Sequence, residues 1–200
     1  MNESKPLRAS FEGSFESIDM LPKDDCPEIA FCGRSNSGKS SLLNAITNNS
    51  KLAKISKTPG RTQTINLFSI EESSYRIIDL PGYGYAKVSK TIKKGWAKNI
   101  DEYLNFRNSL KSVVIIMDSR HPFKEGDNTL IDWCEYNNMP TLVALNKIDK
   151  LSKKDLLMLR KIIDLKKKNF GANISFYFVS AKNKEGMGVL IASLNKIFLS

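Results

Sequence analysis

Gly33-Arg34-Ser35-Asn36-Ser37-Gly38-Lys39-Ser40 follows the apolar run Glu28-Ile29-Ala30-Phe31-Cys32 and precedes Leu42, Leu43 and Ile46 at helical spacing. The run reads as a buried strand, Ser40–Thr47 as a helix, and the residues between as the connecting loop. In that setting G-x-x-x-x-G-K-S is a loop that wraps phosphate. Gly33 and Gly38 let the backbone curl until successive N–H groups face one point. The helix beginning near Lys39 adds the positive end of its dipole. Lys39 supplies charge for the outer phosphates, and Ser40 supplies a hydroxyl for Mg²⁺.

Outward from this loop, short apolar runs alternate with longer amphipathic ones. Asn48–Gly60 is polar loop. Thr64–Ile70 and Tyr75–Leu80 flank a hairpin connection. Val113–Met117, Thr141–Leu145 and Ile174–Val179 read as strands. Ser89–Arg107, Gly126–Asn138, Ser152–Lys168 and Glu185–Phe198 read as helices, with Ser152 as an N-cap. Strands alternating with helices predict an α/β fold: a mostly parallel central sheet with one antiparallel strand and helices on both faces. Residues 1–22 read as an N-terminal arm, mobile or packed on an edge, and residues 23–200 as one domain.

Ligands of such sheets bind beyond the carboxyl ends of the strands. Asn146-Lys147-Ile148-Asp149 stands there, just past Thr141–Leu145. A carboxylate such as Asp149 accepts from the ring N–H and the exocyclic amine of guanine. Adenine offers neither in that arrangement and leaves the acceptor unpaired, a large penalty in a buried site. Ser180-Ala181-Lys182, after Val179, brings backbone N–H groups toward the base carbonyl.

Asp79-Leu80-Pro81-Gly82 closes Tyr75–Leu80. Asp79 is suited to hold the Mg²⁺ shell through water, and Gly82 to offer its N–H to a γ-phosphate. Thr62, in Pro59-Gly60-Arg61-Thr62-Gln63-Thr64, is the candidate second protein ligand to Mg²⁺ alongside Ser40. Loops that touch a γ-phosphate lose that contact on hydrolysis, which makes both of them switches. The expected ligands are therefore Mg²⁺ with GTP or GDP.

The chain has 200 residues, is 41% hydrophobic and 26% charged, and carries a net charge of +10. No apolar run is long enough to span a bilayer, and the polar N-terminus is no secretory signal, so the expected location is cytoplasmic, without membrane insertion. Cys26, Cys32 and Cys134 form no CxxC pair and read as reduced structural thiols. His121, the single histidine, has no partner with which to build a triad or metal cluster, and reads as structural. Trp96 and Trp133 read as core; Tyr83 and Tyr85 sit in a loop suited to meeting a partner. Lys87, Lys90, Lys93, Lys94 and Lys98 crowd Gly84–Lys98 with no acid. Lys150–Lys168 holds eight bases against two acids. Concentrated positive charge attracts a phosphate backbone without reading its sequence, so RNA contact is expected and DNA sequence reading is not.

With these motifs in order, the chain resembles the Ras-like P-loop GTPases, and more closely the EngB (YihA/YsxC) ribosome-biogenesis GTPases. Lys57–Gln63, Asp79–Ala86, Asp118-Ser119-Arg120-His121 and Asn146–Asp149 carry the likeness, which covers roughly residues 20–198. The resemblance implies a monomeric GTPase acting on the large ribosomal subunit and its rRNA, with a link to cell division and septation. Tyr83 stands where Ras-like enzymes place the glutamine that orients the attacking water. Related GTPases lacking that glutamine use K⁺ bound by a P-loop asparagine, and Asn36 holds the matching position. The implied catalytic set is Lys39, Thr62, Gly82 and Asn36, with slow intrinsic hydrolysis raised by K⁺ and by the ribosome. A competing reading is a ribosome- or RNA-binding module that GTP regulates and hydrolyses only incidentally. A P-loop kinase explains neither Asn146–Asp149 nor the Asp79–Gly82 loop.

Overall fold

The computed structural model describes residues 5–53, 64–71, 74–83 and 100–198. Among them seven strands form one sheet in the order β1-β3-β4-β2-β5-β6-β7. These are β1 (Ala9–Phe15), β2 (Glu28–Gly33), β3 (Ile65–Ile70), β4 (Arg76–Asp79), β5 (Leu110–Asp118), β6 (Thr141–Asn146) and β7 (Ile174–Phe178). The ladders from β4 through β7 are all parallel, and β3 is antiparallel to both β4 and β1. One strand, β3, therefore runs against the other six.

Strict alternation along the buried strands divides the core into two layers. Ile29, Phe31, Val114 and Ile116 pack on one face with Leu42, Leu43 and Ile46 of α1 (Lys39–Ile46) and Leu190, Ile191 and Leu194 of α5 (Met187–Phe198). Ala30, Cys32, Val113 and Ile115 pack on the other with Tyr103 of α2, whose residues 100–106 are described, Ile131 and Cys134 of α3 (Glu125–Tyr136), and Leu159 and Ile163 of α4 (Lys153–Lys167). Ser152 caps α4 as its sequence requires, its Oγ accepting from the Asp155 amide at 3.1 Å.

β1 lies in the stretch expected to be an arm. It pairs with β3 from Ala9↔Ile70 to Phe15↔Ile65, with an irregularity between Phe11 and Gly13. The hairpin strand β3 is thus interior, and the sheet edge belongs to β1. Cys32 and Cys134 are buried free thiols; burial pushes the Cys134 thiol up to about 11. Trp133 packs partly buried against the core and donates Nε1–H to Asn105 at 3.1 Å. No helix among the described residues is long and apolar enough to cross a membrane.

Candidate nucleotide site at the carboxyl edge of the sheet

β2, β4, β5 and β6 end at one edge in Gly33, Asp79, Asp118 and Asn146. The loop from Gly33 to Lys39 folds over that edge. At Gly33 a side chain would stand 2.7 Å from both the Ile116 carbonyl and Ser37 Oγ, so only glycine lets the loop leave β2 against β5. Gly38 turns at φ +95°, a conformation other residues rarely adopt, and heads α1 without any side-chain cap. The first amides of α1 thus keep their hydrogen-bonding capacity for a ligand at the dipole's positive end. Asn36, at φ 67°, is exposed and sends its carbonyl to Lys147 Nζ at 2.5 Å.

Lys39 Nζ binds Asp79 Oδ1, and the Asp79 side chain is only 6% exposed. Asp79 Oδ2 accepts from Asn66 Nδ2 at 3.3 Å, and Asn66 Oδ1 in turn accepts from Ser14 Oγ at 2.6 Å and Thr64 Oγ1 at 3.5 Å. Asn66 therefore orients the carboxylate expected to face Mg²⁺. Asp79 reaches the residue next to Ser40, and a hydroxyl plus a carboxylate make the hard oxygen set that Mg²⁺ prefers. Leu80 is fully buried and Pro81 is buried beside it, while Gly82 lies over Ser35, whose Oγ is 3.4 Å from the Gly82 carbonyl. Gly60, Arg61, Thr62 and Gln63 lie outside the described residues.

The turn after β6 is locked by Lys147 at φ 67° and by buried Ile148, whose amide donates to Val179 O at 3.3 Å. Asn146, 1% exposed, is a junction. Its Oδ1 accepts from the amides of Lys147 (2.8 Å) and Ala181 (3.1 Å), and its Nδ2 donates to Ser37 O at 3.1 Å. Asp149 Oδ1 accepts from Ser180 Oγ at 2.7 Å, leaving Oδ2 facing Lys150 at 4.0 Å. Ser180 is itself fixed, its Oγ accepting from the Asn183 amide at 3.1 Å. The phosphate loop, the Asn146–Asp149 turn and the Val179–Ala181 loop therefore share one set of hydrogen bonds.

Asp118 ends β5 beside this turn. Its carboxylate accepts from Lys147 Nζ at 2.9 Å and grips Arg120 with contacts of 2.9 and 2.6 Å. Burial alone would raise its carboxyl, but hydrogen bonds from Arg120 and Lys147 and from the Arg120 amide outweigh this and hold it well below the usual carboxylate range. The Lys147 ammonium is thereby held between the Asn36 carbonyl and the Asp118 carboxylate, which fixes the direction of its stem. His121 is exposed and lines, with Arg34, Asn36 and Asp127, a cavity of about 140 Å³ behind the loop. No group of three or more His, Cys, Asp or Glu side chains suited to a metal exists among the described residues.

A carboxylate held by Ser180, next to an asparagine that bonds the Gly33–Lys39 loop to Ala181 at the carboxyl edge of a mostly parallel sheet, is the arrangement of a P-loop GTPase. The model of the family described as 50S ribosome-binding GTPase matches residues 28–147. The probable GTP-binding protein EngB of Mannheimia succiniciproducens is 46% identical over 193 residues, spanning 96% of this chain and 94% of the relative. Its counterpart in Clostridium kluyveri is 46% identical over 191 residues, 95% of each. The chain belongs to the EngB family of GTP-binding proteins and is a GTPase. The same fold appears in a crystal structure of a probable EngB, with TM-score 0.67 at 23% identity over 86% of this chain and 98% of that one. It appears again in Era bound to MgGDPNP and nucleotides of 16S ribosomal RNA, with TM-score 0.65 at 23% identity over 85% of this chain and 56% of that one.

Proposed function

We propose that this GTPase is a cytoplasmic, monomeric switch in assembly of the large ribosomal subunit, through which it affects cell division and septation, and that its nucleotide sits across the Asn146 junction. The single observation that supports the site is the Asn146 side chain, which joins Ser37 to Ala181 and so holds the two loops close enough to serve one ligand. Gly33–Ser40 hold the phosphates, with Lys39 leaving Asp79 to neutralise them. Asn146, Lys147, Asp149, Ser180 and Ala181 hold guanine. Ser40, Thr62 and Asp79 would hold Mg²⁺, which supplies charge stabilisation on the transferring phosphoryl group. Gly82 senses the γ-phosphate, and Asn36 is the proposed K⁺ ligand. Replacing K⁺ with Na⁺ should slow hydrolysis without changing GTP binding; an unchanged rate removes the K⁺ part.

The rRNA partner is supported by α4. Arg160 and Lys166 fold onto the rings of Phe178 (4.5 Å) and Phe123 (4.6 Å), whereas Lys154, Lys161 and Lys168 are exposed and take no ion pair among the described residues. Spaced seven apart, the three project from one side of the helix toward an anionic surface. The second basic stretch, Gly84–Lys98, lies wholly outside the described residues. Single-turnover hydrolysis with and without isolated ribosomal subunits tests the reading. Acceleration by the large subunit is expected, and no acceleration by any ribosomal particle overturns it. A binding module with incidental turnover has one specific support, Tyr83, whose hydroxyl is engaged by Asp127 instead of standing free to orient a water. That reading predicts tight GTP-dependent docking with no rate increase.

A further inference from the structure

Tyr83 follows Gly82, and its side chain is partly buried against the core. Its hydroxyl donates to Asp127 Oδ1 at 2.9 Å. Its ring lies over Gly126, where even a methyl group would come within 3.0 Å of it. The backbone is fixed twice, with Tyr83 N–H donating to Gly33 O at 3.2 Å and Tyr83 O accepting from the Ser35 amide at 2.9 Å. The β2–β4 pairing thus continues into the start of the phosphate loop as an Arg34–Tyr83 bridge. On the other side of Gly82, the amide of buried Leu80 donates to Phe31 O at 3.1 Å. Gly82 is held between two anchored neighbours.

Asp127 is built to receive this tyrosine. It is 1% exposed, and its Oδ2 accepts from the Lys124 amide at 3.1 Å, closing the first turn of α3. One carboxylate oxygen serves the helix and the other serves Tyr83. A carboxylate buried this far costs stability unless its lone pairs are filled, so the tyrosine hydroxyl completes a site that α3 would otherwise leave short of a donor.

We infer that Asp127 is a positioning residue for GTP hydrolysis: acting through Tyr83, it fixes the sensing loop so that Gly82 meets the γ-phosphate already ordered. This rests on the reading of Gly82 as the γ-phosphate sensor. A loop ordered in advance loses less entropy when the third phosphate arrives, and presents its amide to charge that develops during transfer. GDP lacks that phosphate and is indifferent to the anchor.

Tyr83→Phe removes one oxygen and keeps the ring on Gly126. Dissociation constants for GDP and for a non-hydrolysable GTP analogue, together with kcat, give the test. The expected result is a GTP-analogue-to-GDP affinity ratio lowered about 3- to 10-fold, the value of one buried hydrogen bond. The turnover number should fall by a similar factor, while GDP affinity stays at its wild-type value; the melting temperature of the GDP complex should drop, because Asp127 is left short of a donor. Tyr83→Phe combined with Asp127→Asn should lose no more of this ratio than the worse single variant. A wild-type ratio and kcat in Tyr83→Phe, a raised kcat, or equal losses for GDP and GTP analogue would each overturn the inference. Gly82→Ala separates the two levels. If it leaves the ratio unchanged, the sensor reading itself fails; if it lowers the ratio and Tyr83→Phe does not, only the positioning role is wrong.

Discussion

Asn146 Nδ2 donates to the carbonyl oxygen of Ser37 at 3.1 Å, joining the end of β6 to a loop 109 residues earlier in the chain. The bond is buried, and the same side chain holds the Val179–Ala181 loop through Ala181 N–H. The Gly33–Lys39 loop and the Val179–Ala181 loop are therefore not independent in this fold; a shift of one displaces the other.

Gly38 shows how little room the junction has. A methyl group there would collide with Asn146 Nδ2, the atom that makes the bond to Ser37, and its φ of +95° is strained for any other residue. Gly38→Ala should cost roughly 1–3 kcal/mol of stability from backbone strain. Binding of GDP should suffer more than stability, because Asn146 must move. Titration calorimetry with GDP beside thermal melts checks this: a variant that melts several degrees lower yet binds GDP normally contradicts the junction.

Asp149 is aimed by Ser180 Oγ at 2.7 Å, with Lys150 only at the margin of ion-pair range. Asp149→Asn replaces an acceptor with an amide that donates. Guanine then faces a donor where it also donates, while xanthine offers an oxo group that accepts. The expected outcome is a loss of GDP affinity on the order of 100-fold or more and a gain for xanthosine diphosphate. Unchanged guanine preference in a competition assay would show that another residue reads the base.

Much of this was legible because it is local. The apolar run before Gly33, the spacing of Leu42, Leu43 and Ile46, and the Ser152 cap are written in consecutive residues, and helix and strand periods follow from them. β1 was missed because an edge strand keeps its pairing in the backbone. Ala9–Phe15 buries no residue fully, and its side chains give almost no pattern. Asn66, Asp118 and Asp127 were assigned no role for a different reason. Each matters through a partner brought close by the fold, as Tyr83 and Asp127 are across 44 residues, and no spacing rule points to such a pair. The quoted Asp118–His121 stretch was the one available signal, and only its likeness to the family marked it.

Glu28 illustrates a polar residue whose partners the sequence also hid. It is completely buried at the start of β2 and accepts from Tyr103 Oη at 2.7 Å and from Arg107 at 2.9 and 2.5 Å. This pins the end of α2 to the strand that feeds the phosphate loop. Arg107→Ala strands a buried carboxylate and should destabilise the protein by about 3–5 kcal/mol. Urea unfolding measures it. Glu28→Gln with Arg107→Met, which removes both charges together, should recover much of the loss, and equal damage from both variants would argue against the pair as the cause.

Asp118 gives a pH signature. Its folded carboxyl lies below the ordinary value of 3.8, so the folded protein binds this proton less readily than the unfolded chain. Such a group contributes stability that is present in full above the unfolded value and disappears as pH falls through the folded one. Asp118→Asn has no proton to gain and leaves Lys147 with the Asn36 carbonyl as its remaining strong acceptor. The stability difference between wild type and Asp118→Asn, read from urea midpoints, should therefore be flat from about pH 7 to about pH 5 and shrink below about pH 4. The same variant should release GDP faster at neutral pH, because Lys147, proposed to hold guanine, loses one of its two restraints. A difference that grows on acidification would mean the carboxylate is not held by its two cations in the folded state.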